Sequence, residues 1–299
     1  MTNEIGRVLT AMVTPFDARG AVDWGGLADL ARALVASGSD GLVLTGTTGE
    51  APALSDDEQV AVWRAVRVAV GPDVGLVAGA STNATTESLR IVEQGAAAGM
   101  DALMLTVPYY NKPPQEGLVR HFTALAEATP LPCIVYNVPS RTALNMTAGT
   151  TLRLAQVPGI IGIKEASGDF DQIRAIIDGA PEGFRVWSGN DGDTAQLVGM
   201  GGYGVISVAS HLVGRQIREL VLAAAEGRAD DARALHQRLL PLVDVLFIES
   251  NPIPVKFALN EVGVKVGEGR LPLVPPSDAA QSAIRAELAK HRIDVTVPV

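Results

Sequence analysis

The sequence is poor in cysteine and histidine. It contains one cysteine, Cys133, which excludes an intrachain disulfide, and the apolar neighbours of Cys133 indicate a small core residue. There are four histidines, His121, His211, His236 and His291, and their spacing is not that of metal ligands. Because a catalytic metal needs clustered His, Asp or Glu side chains, we expect no metal in this protein.

Long apolar runs and an excess of basic residues are also absent. No run reaches about 18 apolar residues, the length that spans a bilayer. The segment Met1–Arg7 lacks the basic start and apolar stretch of a signal peptide. Asp and Glu outnumber Lys and Arg by 33 to 24, which gives a formal net charge of -9. Nucleic acids and anionic membranes attract basic surfaces, so we expect the protein to bind neither. The single cysteine and the lack of a signal peptide or membrane span lead us to expect a cytoplasmic protein.

Apolar residues are plentiful, at 47% of 299 residues, which is enough for a large core. Short apolar or β-branched runs alternate with longer amphipathic segments. We predict strands at Val8–Val13, Gly41–Leu44, Val74–Ala78, Ala102–Thr106, Cys133–Tyr136, Ile160–Lys164, Phe184–Ser188 and Gly204–Ser207. Strict alternation predicts an α/β fold with a parallel sheet, and eight strands are the number that closes a (β/α)8 TIM barrel.

One helix boundary carries a clear local signal. Ser55 and Glu58 have the spacing of a capping box, so a helix should begin there and run toward Val70. Gly71 and Pro72 should then end it, because glycine accepts a left-handed cap and proline disfavours helical geometry before it.

The chain is longer than a barrel requires. We predict helices at Gln216–Leu246, with a break near Gly227, and at Val255–Glu261 and Ser277–Lys290. We therefore divide the chain into a catalytic barrel, residues 1–225, and a C-terminal helical segment, residues 226–299, that packs on the barrel.

Lys164 is the most informative single residue. It ends an apolar strand, and strand alternation directs it inward while Ile163 and Glu165 point outward. Burial disfavours the ammonium form and lowers the pKa, which makes the amine a nucleophile toward a carbonyl. The alternative is a strand-end lysine that pairs with an acid.

Active sites of such barrels lie where the strands end, and other polar residues should meet Lys164 there. Tyr136, with Ile134, should face the barrel interior; it either satisfies its hydroxyl against a neighbour or transfers protons beside the amine. Arg141 follows in a loop and is either a surface charge or a carboxylate ligand.

Two further segments have the same ambiguity. The sequence Gly46-Thr47-Thr48-Gly49 offers amides and hydroxyls that suit a carboxylate or phosphate, although it is also compatible with a plain strand-to-helix turn. Tyr109 and Tyr110 lie in a proline-rich loop, which indicates an interface, a lid or a binding surface, or else a packed loop tip.

Taken together, these motifs resemble the dihydrodipicolinate synthase family of pyruvate-dependent class I aldolases, which also includes N-acetylneuraminate lyase. The resemblance extends over nearly the whole chain. Its motifs are Gly46-Thr47-Thr48-Gly49-Glu50, Pro108-Tyr109-Tyr110-Asn111, Tyr136-Asn137-Val138-Pro139-Ser140-Arg141-Thr142, Gly162-Ile163-Lys164-Glu165, Ser188-Gly189-Asn190-Asp191, Gly204-Val205-Ile206-Ser207 and Asn251-Pro252-Ile253-Pro254-Val255-Lys256.

The resemblance implies a Schiff base between Lys164 and pyruvate, with no cofactor. It implies a proton relay of Tyr136, Thr47 and Tyr110, with Tyr110 reaching the neighbouring subunit's site in a homotetramer built from tight dimers. The resulting enamine attacks aspartate semialdehyde in the lysine and diaminopimelate pathway. The remaining substrate-binding positions implied are Thr48, Arg141, Gly189 and Ile206.

Arg141 favours the synthase, because it resembles the arginine that receives the carboxylate of aspartate semialdehyde. The alternatives are an aldolase or lyase for a sugar acid or hydroxy-oxoglutarate, and a catalytically silent regulatory relative. The silent alternative is weakened because the implied catalytic residues are intact.

The family's lysine-binding regulatory site falls on Ala51, Asp56, Gln59, Asn83, Glu87 and Tyr109. Sensitive members often carry serine and histidine where this chain has Ala51, Asp56 and Gln59. We therefore expect weak or absent inhibition by lysine.

Overall fold

The computed structural model of the protein describes residues 4–296, so residues 1–3 of the Met1–Arg7 segment lie outside the described residues. Within that range, eight parallel strands form a closed barrel in sequence order. They are β1 Val8–Ala11, β2 Gly41–Leu44, β3 Gly75–Gly79, β4 Ala102–Thr106, β5 Cys133–Asn137, β6 Ile160–Glu165, β7 Arg185–Ser188 and β8 Gly204–Ser207. The predicted (β/α)8 barrel is confirmed, and the strand boundaries agree to within two residues.

Helices follow the strands and cover the outside of the barrel. They are α1 Trp24–Ala36, α2 Asp56–Val70, α3 Thr85–Ala97, α4 Gln115–Glu127, α5 Pro139–Thr142, α6 Ala148–Leu154, α7 Phe170–Gly179, α8 Thr194–Gly199, α9 Ser210–Ala225, α10 Ala229–Leu246, α11 Ile253–Glu261 and α12 Asp278–Leu288. The predicted capping box is present: the Ser55 hydroxyl accepts from the backbone N–H of Glu58, whose carboxylate accepts from the backbone N–H of Ser55. None of the helices described in residues 4–296 is long and apolar enough to cross a membrane.

Side chains alternate between two apolar layers, as a pleated strand requires. Leu9, Ile134, Tyr136 and Trp187 belong to the inner layer, which fills the barrel. Val135 belongs instead to the outer layer, which lies between the strands and the helices. The inner layer forms the floor beneath the carboxyl ends of the strands, where the polar residues collect.

The C-terminal helices form as the sequence predicts. The break near Gly227 is confirmed, because α9 ends at Ala225 and α10 begins at Ala229, with Gly227 at a φ of +76°. Helix α10 packs on α9 and α12, and α11 packs on α9, α10 and α12. The C-terminal segment is therefore joined to the barrel through α9, while its division from the barrel at residue 225 stays a prediction.

Candidate active site

Lys164 and Tyr136 are brought together by the register of two neighbouring strands. Tyr136 on β5 is paired with Lys164 on β6, each one residue before the end of its strand. Both side chains are buried, and Lys164 Nζ lies 4.2 Å from the centroid of the Tyr136 ring. The inward direction predicted for both residues is confirmed, since Ile163 lies in the outer layer.

The environment of Lys164 favours a neutral amine. Burial lowers the pKa of Lys164 from 10.5 to about 8; the carboxylate of Asp191 opposes this shift and the guanidinium of Arg141 adds to it. Among the described residues, no ion pair includes Lys164. A substantial fraction of the amine is therefore neutral at neutral pH. The neutral amine is the form that attacks a carbonyl.

Glu165, the next residue, does not hold the Lys164 amine in its charged form. Its carboxylate points outward and accepts from the Asn137 side chain at 3.1 and 3.2 Å and from the backbone N–H of Ser167 at 2.7 Å. Burial raises the pKa of Glu165. The alternative of a lysine paired with the adjacent acid is therefore not supported.

Tyr136 is suited to give protons and to take them back. Burial raises the pKa of Tyr136 to about 12, while Arg141 opposes the shift and Glu165 adds to it. The phenol therefore stays protonated near neutral pH, so it can donate a proton to an oxygen that develops negative charge beside the amine.

Asp191 is a residue of the site whose role sequence reasoning missed. It follows β7, is buried, and accepts from the hydroxyl of Ser207 and from the backbone N–H groups of Val208 and Ala209 at 2.8 and 3.0 Å. Burial raises its pKa, and those hydrogen bonds and Lys164 oppose the rise. Asp191 is thus the negative charge that keeps the pKa of Lys164 from falling further.

The two threonines after β2 differ in their surroundings. Thr48 is buried, and its Oγ1 accepts from Asn251 Nδ2 at 2.9 Å, whereas Thr47 is half-buried and lines a cavity. The segment is a turn that leads through a short 3-10 helix, Ala51–Ala53, to α2. The backbone of this segment is therefore the plain strand-to-helix turn that the sequence also allowed. The hydroxyls of both threonines still lie at the strand ends.

Arg141 lies at the same end of the barrel, but not in a loop as predicted. It belongs to the four-residue helix α5, which is too short for a periodic pattern and begins at Pro139. Its exposed guanidinium donates to the backbone carbonyl of Asn251 at 3.1 Å. In the described part of the chain it has no acidic partner, so its other N–H groups remain available to a carboxylate.

Gly189 and Ile206 adjoin the lysine from the next two strands. A Cβ on Gly189 would lie 2.7 Å from Ala166 Cβ and 3.2 Å from Lys164 Cε, so only glycine fits there without displacing its neighbours. Ile206 is fully buried in the inner layer on β8. Gly189 therefore restricts the space around the Lys164 side chain.

Tyr110 is not brought to the lysine within one chain. Its ring is 88% exposed and its φ is +75°, in the loop after β4. Within residues 4–296, no hydrogen bond or ring contact joins Tyr110 to Lys164 or Tyr136. Tyr109, 39% exposed, is fixed by its backbone carbonyl, which accepts from Asn83 at 3.1 Å.

A cavity of about 410 Å³ extends outward from the strand ends. Thr47 and Arg141 line one part of it, and five of the six predicted regulatory positions line another. These five are Ala51, Asp56, Gln59, Glu87 and Tyr109. Neither Lys164 nor Tyr136 is part of this lining, so the cavity joins Thr47 and Arg141 to the predicted regulatory positions without including the buried amine.

A buried ion pair that the sequence only hinted at supports the Thr47–Thr48 turn. Lys256 Nζ donates to Glu50 Oε1 at 2.7 Å and lies 4.3 Å from the ring centroid of Phe16. Glu50 Oε2 accepts from the backbone N–H of Arg270 at 2.9 Å. The apolar setting of Lys256 was the one signal in the sequence; its partner lies 206 residues away.

His211 is held by two backbone groups. His211 accepts from the backbone N–H of Val13 at 3.1 Å, and its other ring nitrogen lies 2.8 Å from the carbonyl oxygen of Val208; burial lowers its pKa to about 4. In residues 4–296 no group of three or more His, Cys, Asp or Glu side chains has a metal-binding arrangement.

Fold and site together define a (β/α)8-barrel enzyme with a buried lysine at the carboxyl ends of its strands. Comparison with known proteins identifies the group within that class. The family model for the dihydrodipicolinate synthetase family matches residues 4–291, and the chain belongs to this family.

Relatives resemble the chain over almost its full length. A protein of Symbiobacterium thermophilum named 4-hydroxy-tetrahydrodipicolinate synthase is 53% identical over 286 residues, 95% of this chain and 97% of the relative. The crystal structure of a dihydrodipicolinate synthase from Bacillus anthracis has a TM-score of 0.94 at 39% identity and covers 97% of this chain and 99% of its own. That of the chloride-inhibited enzyme of Acinetobacter baumannii complexed with pyruvate has a TM-score of 0.94 at 37% identity, with coverage of 96% and 99%.

Proposed function

We propose that this protein is a 4-hydroxy-tetrahydrodipicolinate synthase, which condenses pyruvate with L-aspartate 4-semialdehyde. The observation that carries the proposal is Lys164, a buried amine with a lowered pKa that faces Tyr136 in a barrel of the dihydrodipicolinate synthetase family. The names of the relatives favour this reaction over the aldolases for sugar acids or hydroxy-oxoglutarate.

Lys164 and Tyr136 carry out the covalent steps in this proposal. The neutral amine attacks the ketone carbon of pyruvate and forms a carbinolamine, and loss of water gives the Schiff base. Tyr136 donates protons to the departing oxygen and takes them back through Thr47 and Tyr110. Loss of a methyl proton to this relay gives an enamine, whose carbon attacks the aldehyde carbon of aspartate semialdehyde while the aldehyde oxygen takes up a proton. The amino group of the semialdehyde then attacks the imine carbon, which closes the ring and releases the Lys164 amine.

The anionic ends of the two substrates are held by different groups. The hydroxyl and backbone of Thr48, with Thr47, hold the carboxylate of pyruvate. Arg141 receives the carboxylate of aspartate semialdehyde through paired N–H donors. Gly189 and Ile206 leave room for the pyruvyl group beside Lys164.

Borohydride trapping tests the Schiff base. Treatment with borohydride and pyruvate should add one reduced pyruvyl group to Lys164, whereas borohydride alone should not. Peptide mass spectrometry locates the adduct. An unmodified Lys164 peptide after both reagents contradicts the proposal.

Arg141→Ala separates the synthase from other pyruvate aldolases. It should leave imine formation with pyruvate largely intact and lower turnover with aspartate semialdehyde by at least about tenfold, since a charge-assisted hydrogen bond to the substrate is lost. Initial rates with a panel of aldehydes provide the measurement. Unchanged turnover with aspartate semialdehyde would indicate a different second substrate.

We also propose a homotetramer in which Tyr110 completes a neighbouring subunit's site. The support is its 88% exposure together with the hydrogen bonds that hold its loop: Asn111 donates from its side chain to the Asn83 carbonyl at 2.8 Å, and the Asn83 side chain donates to the Tyr109 carbonyl. The buried, unpaired Cys133 fits a reducing compartment such as the cytoplasm.

Inhibition by lysine should be weak or absent. Arg90 already pairs with both acidic side chains of the predicted regulatory set, Asp56 at 2.5 Å and Glu87. The ammonium groups of a lysine ligand would have to displace this guanidinium. Initial rates should therefore stay unchanged up to millimolar lysine, and inhibition at micromolar lysine would contradict the prediction.

A further inference from the structure

Asn251 joins two residues that bind the two substrates in the proposed function. It lies just before α11 in the C-terminal segment, 203 residues after Thr48 and 110 after Arg141. Its side chain contacts Thr48 and its backbone carbonyl contacts Arg141, although only 7% of Asn251 is exposed. One buried residue thus touches the seat for the pyruvate carboxylate and the arginine for the second carboxylate.

The direction of the bond to Thr48 decides what the threonine hydroxyl can do. A hydroxyl has one donor hydrogen and two acceptor lone pairs. Because Asn251 Nδ2 donates to Thr48 Oγ1, that oxygen acts as an acceptor, and within residues 4–296 its hydrogen has no acceptor. The hydrogen is then available to a substrate carboxylate, whereas an amide oxygen at the same position would accept it and remove it from the site.

The other end of the amide gives an independent observation. Asn251 Oδ1 is buried, and within residues 4–296 it has no hydrogen-bond partner. Buried polar atoms are almost always paired, so an unpaired one in a native protein calls for a reason beyond packing. Here the oxygen is left unpaired while the amide nitrogen at the other end donates to Thr48, at the edge of the site.

We propose that Asn251 is a positioning residue for the condensation. Its side chain orients the Thr48 hydroxyl as a donor to the carboxylate of pyruvate, and its backbone carbonyl holds the Arg141 guanidinium at the entrance for the second substrate. The proposal rests on the proposed function, because it assigns the two contacts to the two substrates of that reaction.

Asn251→Leu tests the side-chain role. Leucine has a similar volume and preserves the backbone carbonyl that Arg141 contacts. We expect the KM for pyruvate, and the pyruvate concentration needed for half-maximal borohydride trapping at Lys164, to rise by about tenfold or more, the scale of one hydrogen bond to a charged group. The KM for aspartate semialdehyde should change less than about threefold, because the Arg141 contact is kept.

Asn260→Leu, in helix α11 that follows Asn251, is the matched control. Asn260 is exposed, and its amide donates to the Gly267 carbonyl and accepts from the backbone N–H of Val266, both at 2.9 Å. This variant should lower the melting temperature and leave the KM for pyruvate unchanged. Asn251→Leu should instead raise the KM for pyruvate and should not lower the melting temperature, because it removes an unpaired buried oxygen.

A double-variant cycle with Thr48→Val removes the remaining ambiguity. Without the Thr48 hydroxyl, Asn251→Leu should change the KM for pyruvate by less than about twofold. Additive effects of the two substitutions, or a KM for pyruvate in Asn251→Leu within twofold of the wild type, would overturn the role of Asn251. Borohydride trapping in the wild-type protein tests the proposed function separately. If the wild type forms the adduct at Lys164, only the role of Asn251 is overturned; if it does not, the proposed function is overturned as well.

Discussion

Asp191→Asn should make Lys164 a better nucleophile at pH 7. With a pKa of about 8, about 9% of the Lys164 amine is neutral at pH 7, against about 0.03% for a lysine at 10.5, a gain of about 300-fold. Asp191 raises the pKa of Lys164, so removing its charge should lower that pKa further. The gain has a ceiling: the neutral fraction can rise from about 9% to 100%, which is about elevenfold.

Asparagine preserves most of the hydrogen bonds of Asp191. Its amide oxygen can accept from the backbone N–H groups of Val208 and Ala209, as Asp191 Oδ2 does, and its amide nitrogen can donate to the Ser207 hydroxyl. The variant therefore changes the charge with little change in shape.

The assay is the rate of imine formation with pyruvate, quenched with borohydride at timed intervals and followed by intact-protein mass spectrometry. For wild type, the rate should rise about tenfold per pH unit below pH 8 and level off above it. In Asp191→Asn the inflection should move to lower pH, with a faster rate at pH 7 and little change at pH 9. Asp193→Asn is the control, because Asp193 bonds to Asn190 and does not shift the pKa of Lys164. A wild-type inflection near 10.5, or one that moves upward in Asp191→Asn, would refute the reasoning.

Two further substitutions test the space around the lysine and the support of the site. Gly189→Ala should reduce imine formation severely, because the added Cβ would lie 3.2 Å from Lys164 Cε; trapping assays measure this, and a normal rate contradicts it. Lys256→Met should destabilise the protein by about 3 to 5 kcal/mol, because it leaves the Glu50 carboxylate buried without its cation. Urea unfolding provides the measurement, with Lys265→Met, at an exposed position, expected to stay within about 0.5 kcal/mol of wild type; an equal effect of both variants would count against the ion pair.

The fold was predictable because its signals are local. Each strand is a short apolar run bounded by turn residues, and the alternation of side chains fixes which face every residue of that run occupies. The inward directions of Tyr136 and Lys164 followed from position along β5 and β6 alone. Closure into a barrel then placed both at one end, since parallel strands all finish at the same edge.

The supporting contacts were not predictable in this way. Asp191 lies in a 3-10 turn beyond β7, where strand alternation no longer fixes a side chain's direction. Arg141 belongs to a helix of four residues, too short to produce a helical period. The partners of Thr48 and Glu50, Asn251 and Lys256, are more than 200 residues distant, and no local pattern encodes such pairs.

The ion pair of Glu50 and Lys256 forms late in the synthesis of the chain. A chain is synthesised from its N-terminus, so all eight strands have left the ribosome before Lys256 and Arg270 are available. Until then the Glu50 carboxylate lacks both the ammonium and the backbone N–H that hold it, and the turn that carries Thr47 and Thr48 is unsupported. A nascent chain that already contains all eight strands therefore still lacks the contacts that hold this turn, which form only when Lys256 and Arg270 have been synthesised.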